Sequence, residues 1–258
     1  MGTVEVRVTA ARKGYGHGSA VRPVLEGLDL EVERGEFLVL VGPSGSGKST
    51  LLRALAGLEH LDAGRIERPA DAGTDRPAIG VVFQQPLLMP WLTVRQNIHF
   101  GGRYRSNHER FDIAAADALL ERFGLAAVAD ARPDQLSGGQ AQRTAVARAV
   151  AVQPRMLLLD EPFSALDPAT RNALQDWLRD LVAQLGLTVV LVTHDVDEAL
   201  YLGDRIALLD GSGQVAAEWA NTPPGERADL ADLPTRAELL ARYATDVPRR
   251  SNLPQEMR

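Results

Sequence analysis

The residues Gly42-Pro43-Ser44-Gly45-Ser46-Gly47-Lys48-Ser49, followed by Thr50, match the pattern G-x-x-x-x-G-K-[ST] of a phosphate-binding loop. The chemistry of that pattern is direct. Glycines let backbone N–H groups turn inward around phosphate oxygens. A helix that begins at the end of the loop adds partial positive charge there. Lys48 offers a compact charge to β- and γ-phosphates, and Ser49 a hydroxyl to Mg²⁺. Of the 28 basic residues only Lys13 and Lys48 are lysines. A lysine kept inside a glycine-rich loop points to a place where a planar guanidinium does not fit; the alternative is compositional drift that left a lysine there by chance.

Three further segments carry groups suited to the same reaction. Met156-Leu157-Leu158-Leu159-Asp160-Glu161 is an apolar run ending in two carboxylates. Beside a phosphate loop, Asp160 suits Mg²⁺. Glu161 points another way and can orient or deprotonate a water that attacks a γ-phosphate. Val192-Thr193-His194-Asp195 ends another apolar run, and His194 can polarise the γ-phosphate or relay the attack geometry. Leu136-Ser137-Gly138-Gly139-Gln140 opens a helical segment, and its serine and glycines form a second anion-binding surface.

These groups need elements that hold them. Val4–Ala10 reads as an edge strand, with a glycine-rich turn over Tyr15-Gly16-His17-Gly18, and Leu25–Val32 as a half-buried strand. Phe37–Val41, Ile79–Phe83, Met156–Leu159 and Thr188–Val192 are short apolar runs of the kind buried in parallel sheets. Helices are expected over Ser49–Leu58, Ile113–Phe123, Gln140–Val152, Arg171–Leu185 and near Thr235–Tyr243. Ile206–Leu209 and Gln214–Glu218 read as a hairpin. Buried strands alternating with helices imply an α/β core with a mainly parallel sheet, interrupted by a helical lobe.

Composition narrows the function. With 258 residues, 45% hydrophobic and 24% charged, the chain has globular composition. It has no cysteine, which excludes disulfides, thiolate metal sites and a cysteine nucleophile. A net charge of −6 argues against wrapping duplex DNA, and no nucleic-acid partner is expected. No apolar run approaches the roughly 18 residues that span a bilayer. The alternating N-terminus lacks the form of a signal peptide, so an intracellular location is expected.

The motifs, in this order, resemble those of the nucleotide-binding subunit of an ATP-binding cassette (ABC) transporter, and the likeness spans about residues 4–218. LSGGQ at 136–140 is the most specific of them. Tyr15 matches the aromatic that stacks on adenine, Gln84 the Q-loop glutamine, Ser164-Ala165-Leu166-Asp167 the D-loop and His194 the switch histidine. The resemblance implies a P-loop NTPase core over 1–85 and 153–219, with an N-terminal antiparallel β subdomain. It implies an inserted helical signature subdomain over 86–152 and a C-terminal tail over 220–258. It also implies two cassettes packed head to tail around ATP, with the tail of each nucleotide between the P-loop of one and Ser137, Gly138, Gly139 and Gln140 of the other. Lys48, Glu161, His194 and Gln84 would then act in hydrolysis, Asp167 would contribute through the D-loop, and Ser49, Gln84 and Asp160 would hold Mg²⁺.

Ala141 and Thr144 depart from the family, standing where many relatives carry a basic residue and a valine. The stretch Gln85–Val94 corresponds to the region that receives a coupling helix of a membrane subunit; its Leu, Met and Trp either line that groove or pack in the core. Its Leu-Met-Pro-Trp order is similar to that of the nitrate, sulfonate and taurine importer group, although the tail lacks that group's Pro-Arg-Pro-Arg segment. The expected protein is the ATPase of an importer of small oxyanions, on the cytoplasmic face of the membrane. Its partners would be a second ATP-binding subunit, permease subunits and, indirectly, a solute-binding protein. The alternatives are a non-transport cassette ATPase of DNA repair or the ribosome, and a silent ATP-binding partner.

Overall fold

The computed structural model describes residues 3–16, 21–68, 79–105, 107 and 111–246. Part of the glycine-rich turn expected after Tyr15 and the last residues of the tail lie outside them. The chain runs β1 (Val4–Tyr15), β2 (Arg22–Glu33), β3 (Phe37–Val41), α1 (Lys48–Leu55), β4 (Ala63–Glu67) and β5 (Ile79–Val82). Helices α2 (Val94–Ile98), α3 (Ile113–Arg122) and α4 (Gly138–Val150) follow. Next come β6 (Met156–Asp160), α5 (Pro168–Leu185), β7 (Thr188–Val192), α6 (Val196–Leu202), β8 (Arg205–Leu209), β9 (Val215–Ala220) and α7 (Pro234–Asp246).

Two sheets result. The larger has the order β5-β6-β7-β3-β8-β9, with every pair parallel except the β8–β9 hairpin. The smaller is antiparallel, in the order β2-β1-β4. β1 is therefore the middle strand, not the expected edge, and it extends to Tyr15. The strand that covers it, β4, has the sequence Ala-Gly-Arg-Ile-Glu and buries little, so no apolar pattern announces it.

Strand alternation explains why the runs of the large sheet are apolar throughout. Phe37, Val39 and Val41 face a core shared with the helices over 94–150, whereas Leu38 and Leu40 face a second core shared with α1 and the small sheet. In β6, Leu157 and Leu159 join the first core, Met156 and Leu158 the second. β7 divides in the same way.

Several helices start earlier than apolar spacing suggests, because their first turns are defined by caps. Asp167 accepts from the Thr170 N–H at 3.0 Å and Pro168 opens α5, one turn before Arg171. Asp195 accepts from the Asp197 and Glu198 N–H groups and starts α6, a helix the apolar spacing did not indicate.

Leu158 has no exposed surface. Leu158→Ala is expected to cost roughly 2–5 kcal/mol in urea unfolding, and Ile113→Ala, at an exposed position, less than about 0.5 kcal/mol.

Candidate active site

Parallel strands carry their C-terminal ends to one edge, and ligands of open α/β sheets bind outside that edge. Here Val41 leads into the phosphate loop, while Asp160 and Val192 pair at the ends of β6 and β7. In the loop, Gly42, Gly45 and Gly47 all have positive φ. A Cβ on Gly47 would lie 2.7 Å from the Val24 carbonyl oxygen, and one on Gly42 2.4 Å from that of Leu209. Only glycine fits either place.

Lys48 is 6% exposed. Its Nζ donates to the carbonyls of Gly42 (2.7 Å) and Pro43 (2.9 Å), with Ser46 Oγ at 3.4 Å. Burial lowers its pKa, while Glu161 and Asp160 oppose that shift. Ser49 Oγ donates to Asp160 Oδ1 at 2.8 Å. Burial raises the Asp160 pKa against this hydrogen bond.

Glu161 has φ 46°, an uncommon conformation for a residue with a side chain. Its N–H donates to the Val192 carbonyl (2.9 Å), and its carbonyl accepts from Ser164 Oγ (3.0 Å). These bonds turn the carboxylate toward β7, where Oε2 lies 3.3 Å from His194 Nδ1. Gln84 Nε2 donates to Ser164 Oγ at 3.1 Å, so Ser164 links the Q-loop to the Glu161 backbone. Sequence reading placed Ser164 only in the D-loop match and gave it no role of its own.

A cavity of about 470 Å³ lies over the loop, lined by Tyr15, Arg22, Val24, Ser44, Gly45, Gly47, Lys48, Ser49, Thr50 and Glu161. The Tyr15 ring is 42% exposed, its hydroxyl donates to Glu59 and Lys13 sits over its face. A partly exposed aromatic ring at the rim suits a stacked base. Arg22, paired across from Tyr15, carried no motif and was missed.

The remaining candidates are elsewhere. Ser137, Gly138, Gly139, Gln140 and Asp167 do not line this cavity. Ser137 caps α4, accepting from the Gln140 N–H, while Gln140 Oε1 accepts from the Ser137 N–H. Ser137 and Gly138 remain exposed. Thr144 is buried with its hydroxyl donating to the Gln140 carbonyl.

The donor set fits Mg²⁺. Ser49 and Asp160 offer hard oxygens, and among the described residues no three His, Cys, Asp or Glu side chains form a metal-holding group. Mg²⁺ takes one or two carboxylates and otherwise phosphate and water.

The model of the ABC transporter family matches residues 25–164. The aliphatic sulfonates import ATP-binding protein SsuB 1 of Nocardia farcinica is 46% identical over 241 residues, 92% of this chain and 91% of that one. This chain belongs to the ABC transporter family, as an ATP-binding subunit. The sulfate/thiosulfate import ATP-binding protein CysA of Xylella fastidiosa is 45% identical over 222 residues, 82% of this chain but 63% of the longer relative. Among solved structures, a dimeric post-hydrolysis ATP-binding cassette bound to ADP and Pi superposes with a TM-score of 0.71 at 36% identity, covering 85% of this chain and all of that one.

Behind His194, Thr193 Oγ1 donates to the buried Glu198 carboxyl at 2.8 Å. Burial raises the Glu198 pKa to about 8. Its folded pKa lies above the usual value, so the native state binds the extra proton and stability falls as pH rises from about 4.5 to about 8. Glu198→Gln should remove that loss, on the order of 3 kcal/mol, in urea unfolding compared at the two ends of the window.

Proposed function

We propose that this ABC ATPase subunit drives an importer of sulfonate-type or related sulfur oxyanions. It would bind ATP at the cavity over the P-loop and hydrolyse it in a head-to-tail pair. The observation that carries the reading is convergence: Lys48, the Ser49–Asp160 pair and the Glu161–His194 pair meet at one strand edge, while the signature serine stays outside on an exposed helix start.

In this reading the Tyr15 ring takes the adenine, and the loop N–H groups with Lys48 take the phosphates. Ser49 and Asp160 with Gln84 would hold Mg²⁺, which would supply positive charge to the phosphate oxygens. Glu161 orients the attacking water and accepts its proton as the new O–P bond forms and the bond to ADP breaks. His194 positions that carboxylate, and Gln84 reaches its backbone through Ser164. Ser137 and Gly139 of a second copy would close over the γ-phosphate, with Asp167 near that interface. The dimeric arrangement of the solved cassette supports such pairing. Loss of the γ-phosphate would release the pair.

The division into a core over 1–85 and 153–219, a helical lobe over 86–152 and a tail over 220–258 belongs to this proposal. Among the described residues no helix is long and apolar enough to cross a membrane, so separate permease subunits would form the path. Trp91 is 67% exposed and Leu87 also exposed, whereas Leu92 is buried and Leu88 packs on the core. Burial gives the core reading to Leu92 and Leu88, while exposure supports the groove reading for Leu87 and Trp91, which would offer an apolar permease contact. The subunit would sit on the cytoplasmic face, with a solute-binding protein acting through the permease. The names of the relatives, sulfonate and sulfate importers, support the solute class.

Glu161→Gln is expected to keep ATP binding, lower turnover about 100-fold or more and accumulate an ATP-bound dimer by light scattering. Wild-type turnover in that variant, or a monomer at saturating Mg-ATP, overturns the mechanism. In a host lacking the gene, wild type and not Glu161→Gln should restore growth on an alkanesulfonate as sulfur source; growth unaffected by deletion overturns the solute class.

A further inference from the structure

The C-terminal helix α7 is joined to the nucleotide site. Leu239 has no exposed surface and lies in the main core. Arg236 makes a two-point ion pair with Asp197 at the start of α6, Nε to Oδ1 at 2.7 Å and Nη2 to Oδ2 at 3.2 Å. Two turns further on, the Tyr243 hydroxyl donates to the Gly42 carbonyl at 3.1 Å. Burial and the charge of Glu161 both raise the phenol pKa, so it remains a donor.

That carbonyl also accepts from Lys48. The ammonium has three protons, and its neighbours here are the Gly42 and Pro43 carbonyls and Ser46 Oγ. Reaching two phosphates requires it to leave at least some of them. A buried carbonyl left without a donor disfavours the state that strands it. Gly42 itself is buried, and a Cβ added to it would meet the Leu209 carbonyl and Ser46 Oγ, so the loop is closely packed on that side.

We propose that Tyr243 is a positioning residue for ATP binding: its hydroxyl keeps the Gly42 carbonyl bonded, and the first turn of the loop fixed, while Lys48 moves to the phosphates. The inference rests on the reading that this loop binds ATP. It makes Tyr243 matter in the ATP-bound state and little in the free state, where Lys48 remains on the carbonyl. AMP, which lacks β- and γ-phosphates, leaves Lys48 in place and should not feel the difference.

The test uses the full chain with Tyr243→Phe, which keeps the ring. The expected result is an ATP dissociation constant raised about fivefold, unchanged affinity for AMP and an unchanged thermal midpoint without nucleotide. Tyr243→3-fluorotyrosine, which retains the hydroxyl, should restore ATP affinity. Wild-type ATP affinity in Tyr243→Phe overturns the proposal. So does an equal loss for ATP and AMP with a lower midpoint, which would make the helix a prop, and so does failure of the fluorotyrosine to rescue. Wild type and Lys48→Ala are measured alongside. If wild type binds ATP, Lys48→Ala does not, and Tyr243→Phe equals wild type, this inference alone falls. If wild type does not bind ATP, the parent reading falls with it.

Discussion

An ammonium taken out of water must be surrounded by oxygen, and Lys48 is nearly dry. Burial pulls its proton affinity down, while Asp160 and Glu161 pull it up. Those two carboxylates are therefore part of what keeps the loop cationic before any nucleotide arrives. The two carbonyls at the start of the loop complete the shell. The waiting state is thus an internal substitute for phosphate: oxygen atoms of the protein stand where oxygen atoms of the ligand would compete for the same protons.

That balance requires three strands to end at one level. Parallel pairing of β3 with β7 and of β7 with β6 sets the level by backbone hydrogen bonds. The side chains then differ in their tasks. Asp160 faces the Ser49 hydroxyl, Glu161 is turned toward His194 by a backbone conformation that its neighbours hold in place, and Ser164 hydrogen-bonds both the Gln84 side chain and that backbone. Electrostatic preorganisation of this kind is the main resource in phosphoryl transfer.

Much of this was legible in the order of residues. The phosphate loop, the carboxylates after an apolar run and the LSGGQ pentapeptide are local patterns, and local patterns survive in a linear reading. The buried strands were legible because alternate residues feed two cores and so leave no polar gap. What escaped was either too polar or too distant. β4 buries too little to be seen, and it turned the expected edge strand β1 into a central one. Helix α6 could have been found from Asp195 followed three residues later by Glu198, a cap signal rather than an apolar one. Arg22 and Tyr243 reach the site only through pairing across a strand and across the whole fold. No spacing rule encodes such contacts.

The alternation along β6 ties two kinds of selection together. Met156 and Leu158 belong to one interior, Leu157 and Leu159 to the other, and the acids follow without a spacer. A single inserted or deleted residue in this strand would trade its hydrophobic faces and, with the same slip, turn Asp160 away from the Ser49 hydroxyl. A slip of that kind would damage folding and the placement of Asp160 together.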